Sequence, residues 1–248
     1  MPDKVGFVIA GVQKGGTTAL FDYLRLHPDL TLPDMKEVHF FDDESVDWSR
    51  PDYGAYEAAV PPRGSRLRGE ATPIYIYWPN SLERMRDYNP DMRLIIVFRD
   101  PVERAWSQWR MEQSRTEREP FAWAIREGRA RVDDPAAPGA HRIHSYVERG
   151  FYGEQLRRLL AIFPRQQVLL LRSEDLRANP AWILGNACDF LSIQRFAKIS
   201  PIESLVGPQV SEGASITASD REYLQTIYSL DQQLFYELSG FDYRTGWR

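Results

Sequence analysis

The chain has 248 residues, 43% hydrophobic and 27% charged, an ordinary balance for a globular protein and enough length for one α/β domain with a full core. A formal net charge of −4 argues against recruitment to nucleic acid by bulk charge, and no run approaches the roughly 20 apolar residues of a membrane span. The single cysteine, Cys188, leaves no intrachain disulfide and no metal cluster, and its apolar surroundings place it in the core. No signal-peptide pattern opens the chain, so a cytoplasmic protein with neither membrane nor nucleic-acid partners is expected.

Val5–Ala10 reads as a buried strand, followed by a loop with Gly11, Gly15 and Gly16. Thr17 and Thr18 then open a helix whose apolar positions Leu20, Phe21 and Leu24 recur at helical spacing. Strand, glycine-rich turn and helix start form an anion-binding arrangement, because glycine lets backbone N–H groups approach a phosphate and the helix dipole favours negative charge. Against the pattern G-x-x-x-x-G-K-[ST], Gly11 and Gly16 stand correctly and Thr18 takes the magnesium-ligand place. Thr17 occupies the lysine place, and the lysine present, Lys14, lies three residues earlier. The loop is therefore suited to cradle a phosphate without being an ordinary ATPase loop.

Lys36-Glu37-Val38-His39-Phe40-Phe41-Asp42 is the second informative stretch. It sets a carboxylate and an imidazole two residues apart beside an aromatic pair. In extended backbone Glu37 and His39 face the same side, and either is chemically able to take a proton from a substrate. Residues 43–65 are acidic and then proline-rich, with room for a short helix at Tyr53–Val60. Arg66–Glu70 reads as a short strand running into Gly69-Glu70-Ala71-Thr72-Pro73-Ile74-Tyr75. Glu70 there is either a polar group of a binding pocket or a strand-end cap. Tyr75, Tyr77 and Trp78 either offer aromatic surface or pack.

Asn80–Tyr88 reads as a helix, and Arg93–Phe98 (RLIIVF) as the clearest buried strand. Pro101 suits the first turn of the next helix, in which Val102, Trp106 and Trp109 form an apolar stripe. Arg99 stands at the carboxyl end of that strand, where open α/β sheets bind ligands, and Ser107 lies about two turns into the helix. The charged run 111–120 reads as solvated, Phe121–Arg131 as an amphipathic helix and Asp133–Gly139 as a loop. His141 and His144 lie close together, but without a carboxylate cluster at ligand spacing they fit a surface or acceptor-facing role better than a metal site. Helices over Glu154–Phe163, Ala181–Leu191 and Thr217–Leu238, a third buried strand at Gln167–Leu171 and a packed tail at Phe241–Trp247 complete the chain.

Three of these segments together resemble sulfotransferases that use 3′-phosphoadenosine 5′-phosphosulfate (PAPS), in the form of the heparan-sulfate and bacterial branch. Gln13-Lys14-Gly15-Gly16-Thr17-Thr18 is similar to the 5′-phosphosulfate loop, Lys36–Asp42 to the segment bearing the base, and Arg99–Ser107 to the 3′-phosphate segment. Likeness is weaker at Gly69–Tyr75 and over 150–176. The resemblance implies a three-layer P-loop-like α/β fold, with a mostly parallel central sheet flanked by helices, as a single sulfotransferase domain over residues 1–248. It implies PAPS as donor without a metal. A compact chain with aromatic residues near the site points to the hydroxyl of a small natural product or a glycan as acceptor, without choosing between them. Gln13, Lys14, Gly15, Gly16, Thr17 and Thr18 would hold the 5′-phosphate, and Arg99 and Ser107 the 3′-phosphate. Tyr152 would belong to the nucleotide pocket. Glu37 would be the base, assisted by His39 and Lys36, with Lys14 stabilising charge on the departing oxygen. Lys36, Glu70 and Tyr75 would face the acceptor.

One departure stands out. The branch carries a Lys-Gly-Arg loop near its C-terminus, whereas this chain reads Val206-Gly207-Pro208-Gln209-Val210-Ser211-Glu212-Gly213. The rival reading is a P-loop kinase-like phosphotransferase using ATP and magnesium, which Thr17 in the lysine place disfavours. A non-catalytic nucleotide module would have no need of Glu37 and His39.

Overall fold

The computed structural model describes residues 4–62, 64–134, 136, 139–199 and 215–243. In chain order its elements are β1 (Phe7–Gly11), α1 (Thr17–Arg25), β2 (Leu30–Thr31), α2 (Gly54–Ala59), β3 (Leu67–Ala71), α3 (Ser81–Tyr88), β4 (Arg93–Phe98) and α4 (Pro101–Gln113). There follow α5 (Phe121–Ala124), α6 (Ala140–His144), α7 (Tyr152–Ile162), β5 (Val168–Arg172), α8 (Ser173–Ala178), α9 (Pro180–Leu191) and α10 (Ala218–Ser239). The described residues fall into two compact units, one within Met1–Phe98 and Arg158–Ser204, the other within Arg99–Arg157 and Leu205–Arg248.

Among the described residues the first unit holds five strands, parallel and in the order β2-β3-β1-β4-β5. Every residue of β1 is buried, so the strand reads as an unbroken apolar run rather than an alternating one, as expected of a parallel strand covered on both faces. Phe7 and Ile9 of β1 and Ile95 and Val97 of β4 pack with Leu20, Phe21 and Leu24 of α1 and Ile183, Leu184 and Ala187 of α9. Each of the buried Phe, Ile, Leu and Val side chains contributes about 1.5–3 kcal/mol. A second, aromatic cluster joins Phe41, Tyr56, Tyr75 and Tyr88, with ring centroids 4.8–5.9 Å apart. β3 and β4 flank β1 on opposite sides, so the carboxyl end of β1 is a topological switch point. The sheet is the expected one, with strand bounds shifted by one or two residues. Only β2 escapes the sequence pattern, because two residues carry no periodicity.

The described part of the second unit is helical. Asp100 caps α4 by accepting the Glu103 N–H at 2.9 Å, with Pro101 in the first turn. Val102, Ala105, Trp106 and Trp109 of α4 pack with Phe121 and Ala124 of α5, Tyr146, and Leu224 and Tyr228 of α10. Asp231 of α10 accepts the N–H groups of Gly153 and Glu154 at 2.8 and 2.9 Å, tying down the start of α7.

Two expectations change here. The charged run 111–120 is not wholly solvated: the Glu117 side chain is 1% exposed and is bound by Arg131 at 2.7 Å, Tyr146 at 3.0 Å and the N–H groups of Arg118 and Glu119. Burial pushes its carboxyl up, but these hydrogen bonds prevail and hold it down at about 2. The helix expected over Phe121–Arg131 divides into α5 and a 3₁₀ segment at Glu127–Asp133. Cys188 is buried as expected. The Val206–Gly213 segment and the end of the tail beyond Tyr243 lie outside the described residues.

Candidate active site

The phosphate loop runs from the end of β1 to the start of α1. Gly15 is required by space: a Cβ there would lie 2.1 Å from the Val97 carbonyl oxygen and 2.9 Å from Val12. Gly16 is required by conformation, with φ of 98° as the residue preceding α1. No side-chain cap hydrogen bond closes this helix start and no acidic residue lies in its first turn, an arrangement compatible with an anion at that end. Gln13 and Lys14 are half-buried in the loop, Thr17 is buried, and Thr18 is exposed in the first turn.

The base segment is not extended. Glu37 and His39 adopt left-handed backbone, with φ of 70° and 56°, and Lys14 in the phosphate loop does the same at 69°. For residues with a Cβ, each such conformation costs on the order of 1–2 kcal/mol, and it is concentrated at functional positions. The alternation argument from extended backbone therefore gives way to a different geometry that still brings the two side chains together.

Each oxygen of Glu37 faces a cationic partner. Lys36 Nζ donates to Oε1 at 2.8 Å, and His39 Nε2 lies 3.3 Å from Oε2. The other ring nitrogen of His39, Nδ1, is 2.9 Å from Asp42 Oδ2, and Asp42 is fully buried. Burial pushes the Glu37 carboxyl up, but His39 and Lys36 prevail and hold it at about 2. The hydrogen bonds to Asp42 first, then to Glu37, push His39 up to about 9. At neutral pH, then, His39 carries its proton and Glu37 is an ionised carboxylate 36% exposed to solvent.

Glu70 and Tyr75, expected to face an acceptor, are both 0% exposed. Tyr75 Oη accepts the N–H groups of Phe40 and Phe41, and Thr72 Oγ1 donates to Glu70 Oε2 at 2.8 Å. Burial above all, with the nearby charge of Asp42, pushes Glu70 up to about 8 against the opposing Thr72 bond. Lys36 keeps partial exposure beside Glu37. Asp42 and Thr72 received no role from the sequence, although both lie inside the quoted segments. The only signal was an acidic residue three positions after the histidine.

In the second unit, Arg99 directly follows β4 and its guanidinium lies 3.9 Å from Glu103. Ser107 is half-buried one turn beyond Glu103 on α4. Tyr152 is fully buried and donates its hydroxyl to the Arg99 carbonyl at 2.9 Å, so it supports the backbone of Arg99. His144 lies 3.5 Å from Glu117. Among the described residues no group of three or more His, Cys, Asp or Glu side chains is arranged to hold a metal ion, and no helix is long and apolar enough to cross a membrane.

A parallel sheet in this order, with an uncapped glycine-rich loop after its central strand, defines a P-loop-like nucleotide-binding class. Residues 5–203 match the model of the sulfotransferase domain, and the chain belongs to that family. It is 36% identical over 195 residues to heparan sulfate glucosamine 3-O-sulfotransferase 6 of Mus musculus, covering 76% of this chain and 52% of that protein. With human heparan sulfate glucosamine 3-O-sulfotransferase 3B1 the identity is 29% over 267 residues, covering 97% of this chain and 64% of the relative. The chain thus spans between half and two thirds of the length of these relatives. Among solved structures, a sulfotransferase from Alicyclobacillus acidocaldarius superposes with a TM-score of 0.80 at 26% identity, over 99% of both chains.

Proposed function

We propose that this protein is an O-sulfotransferase that moves the sulfuryl group of PAPS to a hydroxyl of a glycan or small natural product, releasing 3′-phosphoadenosine 5′-phosphate. The observation that carries the reading is the Glu37 carboxylate, ionised, partly exposed and clamped between Lys36 and His39. Family membership supports the donor, and the names of the heparan sulfate relatives favour a glycan among the acceptors.

In this reading Glu37 takes the acceptor proton while the acceptor oxygen attacks sulfur in line and the bond from sulfur to the 5′-phosphate oxygen breaks. Positioning and charge stabilisation dominate, by analogy with phosphoryl transfer. Backbone N–H groups of residues 15–18 and the Thr17 and Thr18 hydroxyls hold the 5′-phosphate, with Gln13 in the same loop. Lys14 stabilises charge on the departing oxygen. Arg99 and Ser107 bind the 3′-phosphate, a guanidinium and a hydroxyl being strong partners for phosphate oxygens, and Tyr152 acts through Arg99. His39 already holds its proton, so Glu37 rather than His39 is the base.

The test is incubation with PAPS labelled in the sulfuryl group, with glucosamine-containing glycans and small hydroxyl compounds as acceptors. Labelled product and released bisphosphate are expected from the wild-type protein and not from Glu37→Gln. Wild-type rates in that variant would remove Glu37 from its role. Phosphate transfer from ATP with magnesium would replace the reading by the kinase alternative.

A further inference from the structure

We propose that Tyr75 and the Glu70–Thr72 pair are positioning residues for the base: they hold the backbone from Glu37 to Phe41 in the conformation that puts His39 between Glu37 and Asp42. The inference rests on the reading of Glu37 as the base. Four successive tethers carry it. Glu37 N–H donates to the Ala71 carbonyl at 3.0 Å, and His39 N–H to Thr72 Oγ1 at 3.4 Å. The N–H groups of Phe40 and Phe41 donate to Tyr75 Oη at 3.0 and 3.4 Å. Four backbone donors of one irregular segment thus end on residues 71–75.

A helix or strand would satisfy such donors by its own ladder, and a buried donor left without a partner is costly. This segment has no ladder, so side-chain hydroxyls take its place, and they do so where two residues are in left-handed backbone. The far end is also fixed: the Phe41 carbonyl accepts from Ser81 Oγ at 3.0 Å and Arg84 Nη1 at 2.9 Å. Thr72 is fixed in turn by its bond to Glu70. Glu70, Thr72 and Tyr75 are all 0% exposed, so none of them meets a substrate, and their effect on the reaction passes through His39. The charged and titratable groups around His39 are Lys36, Glu37, Asp42 and Glu70. In its neutral form Glu70 anchors Thr72 without adding repulsion beside Asp42.

The test reads the imidazole titration of His39 by NMR in the full chain, with the signal assigned through His39→Asn. The wild-type ring is expected to titrate at about 9. Tyr75→Phe and Thr72→Val are expected to bring that value down by roughly a unit or more toward the ordinary 6.5, and Thr72→Ser to restore it. In parallel, kcat with PAPS should fall roughly tenfold in the first two variants, with KM for PAPS unchanged. If Tyr75→Phe fails to fold, the Thr72→Val and Thr72→Ser pair decides. An unmoved His39 titration in these variants overturns the proposal, as does a moved titration with an unmoved kcat. A wild-type protein that turns over no PAPS while the titration still shifts would overturn the sulfuryl-transfer reading and leave the positioning of His39 standing.

Discussion

Replacing Glu70 by Gln should stabilise the protein in alkaline solution and do little in acid. In the fold the Glu70 carboxyl titrates at about 8, against an ordinary value of 4.5, chiefly because it is fully buried. Between those two values the folded chain holds a proton that the unfolded chain has released, so stability falls as pH rises. The contribution is intact below about 4.5 and lost by the time pH has risen through about 8. At about 1.4 kcal/mol per unit, this removes on the order of 4–5 kcal/mol between pH 4 and pH 9. Glutamine still offers an acceptor to Thr72 and never ionises. The gap in melting temperature between Glu70→Gln and wild type should therefore widen by roughly 10 °C between pH 5 and pH 9, followed by circular dichroism. Parallel melting curves across that range would refute the assignment of Glu70 as a neutral acid.

Further outcomes follow from the same geometry. Lys14→Ala and Glu37→Gln should each lower turnover roughly a hundredfold or more with the fold intact by circular dichroism, and a near-normal rate in either removes that residue from its role. His39 is held protonated by Asp42 and Glu37 up to about 9, so kcat should fall as pH rises through that value, and His39→Asn should lose this limb of the profile. The stabilisation His39 supplies is complete below 6.5 and lost as pH rises through about 9, which a melting series on His39→Asn would show as a gap from wild type that closes at high pH. Gly15→Ala should cost roughly 2–4 kcal/mol in denaturant unfolding, because its Cβ meets the Val97 carbonyl at 2.1 Å, a backbone atom that cannot swing away.

The elements set by local sequence were legible. RLIIVF became β4, Pro101 took the first turn of α4, and the spacing of Gly11, Gly15 and Gly16 marked the loop between β1 and α1. What depends on partners distant in the chain was not. Glu117 looked like part of a solvated run because the groups that bury it, Arg131 and Tyr146, lie 14 and 29 residues away. Tyr75 and Tyr152 carry the aromatic signature of a binding surface, yet their hydroxyls are spent on the backbone at Phe40, Phe41 and Arg99. The pairing of Glu37 with His39 was expected from alternation along extended chain; it arises from two left-handed residues, a conformation that no propensity of Glu or His announces. Asp42 was in view throughout, but its hold on His39 depends on that same backbone.

The central claim is that the phosphate loop and the Arg99 segment serve a 3′,5′-bisphosphorylated nucleotide. Calorimetry with 3′-phosphoadenosine 5′-phosphate and with ATP, each with and without magnesium, tests it most directly. Tight binding of the bisphosphate, unaffected by magnesium and stronger than that of ATP, is the predicted result. Preference for ATP, dependent on magnesium, would contradict the account and make the protein a phosphotransferase.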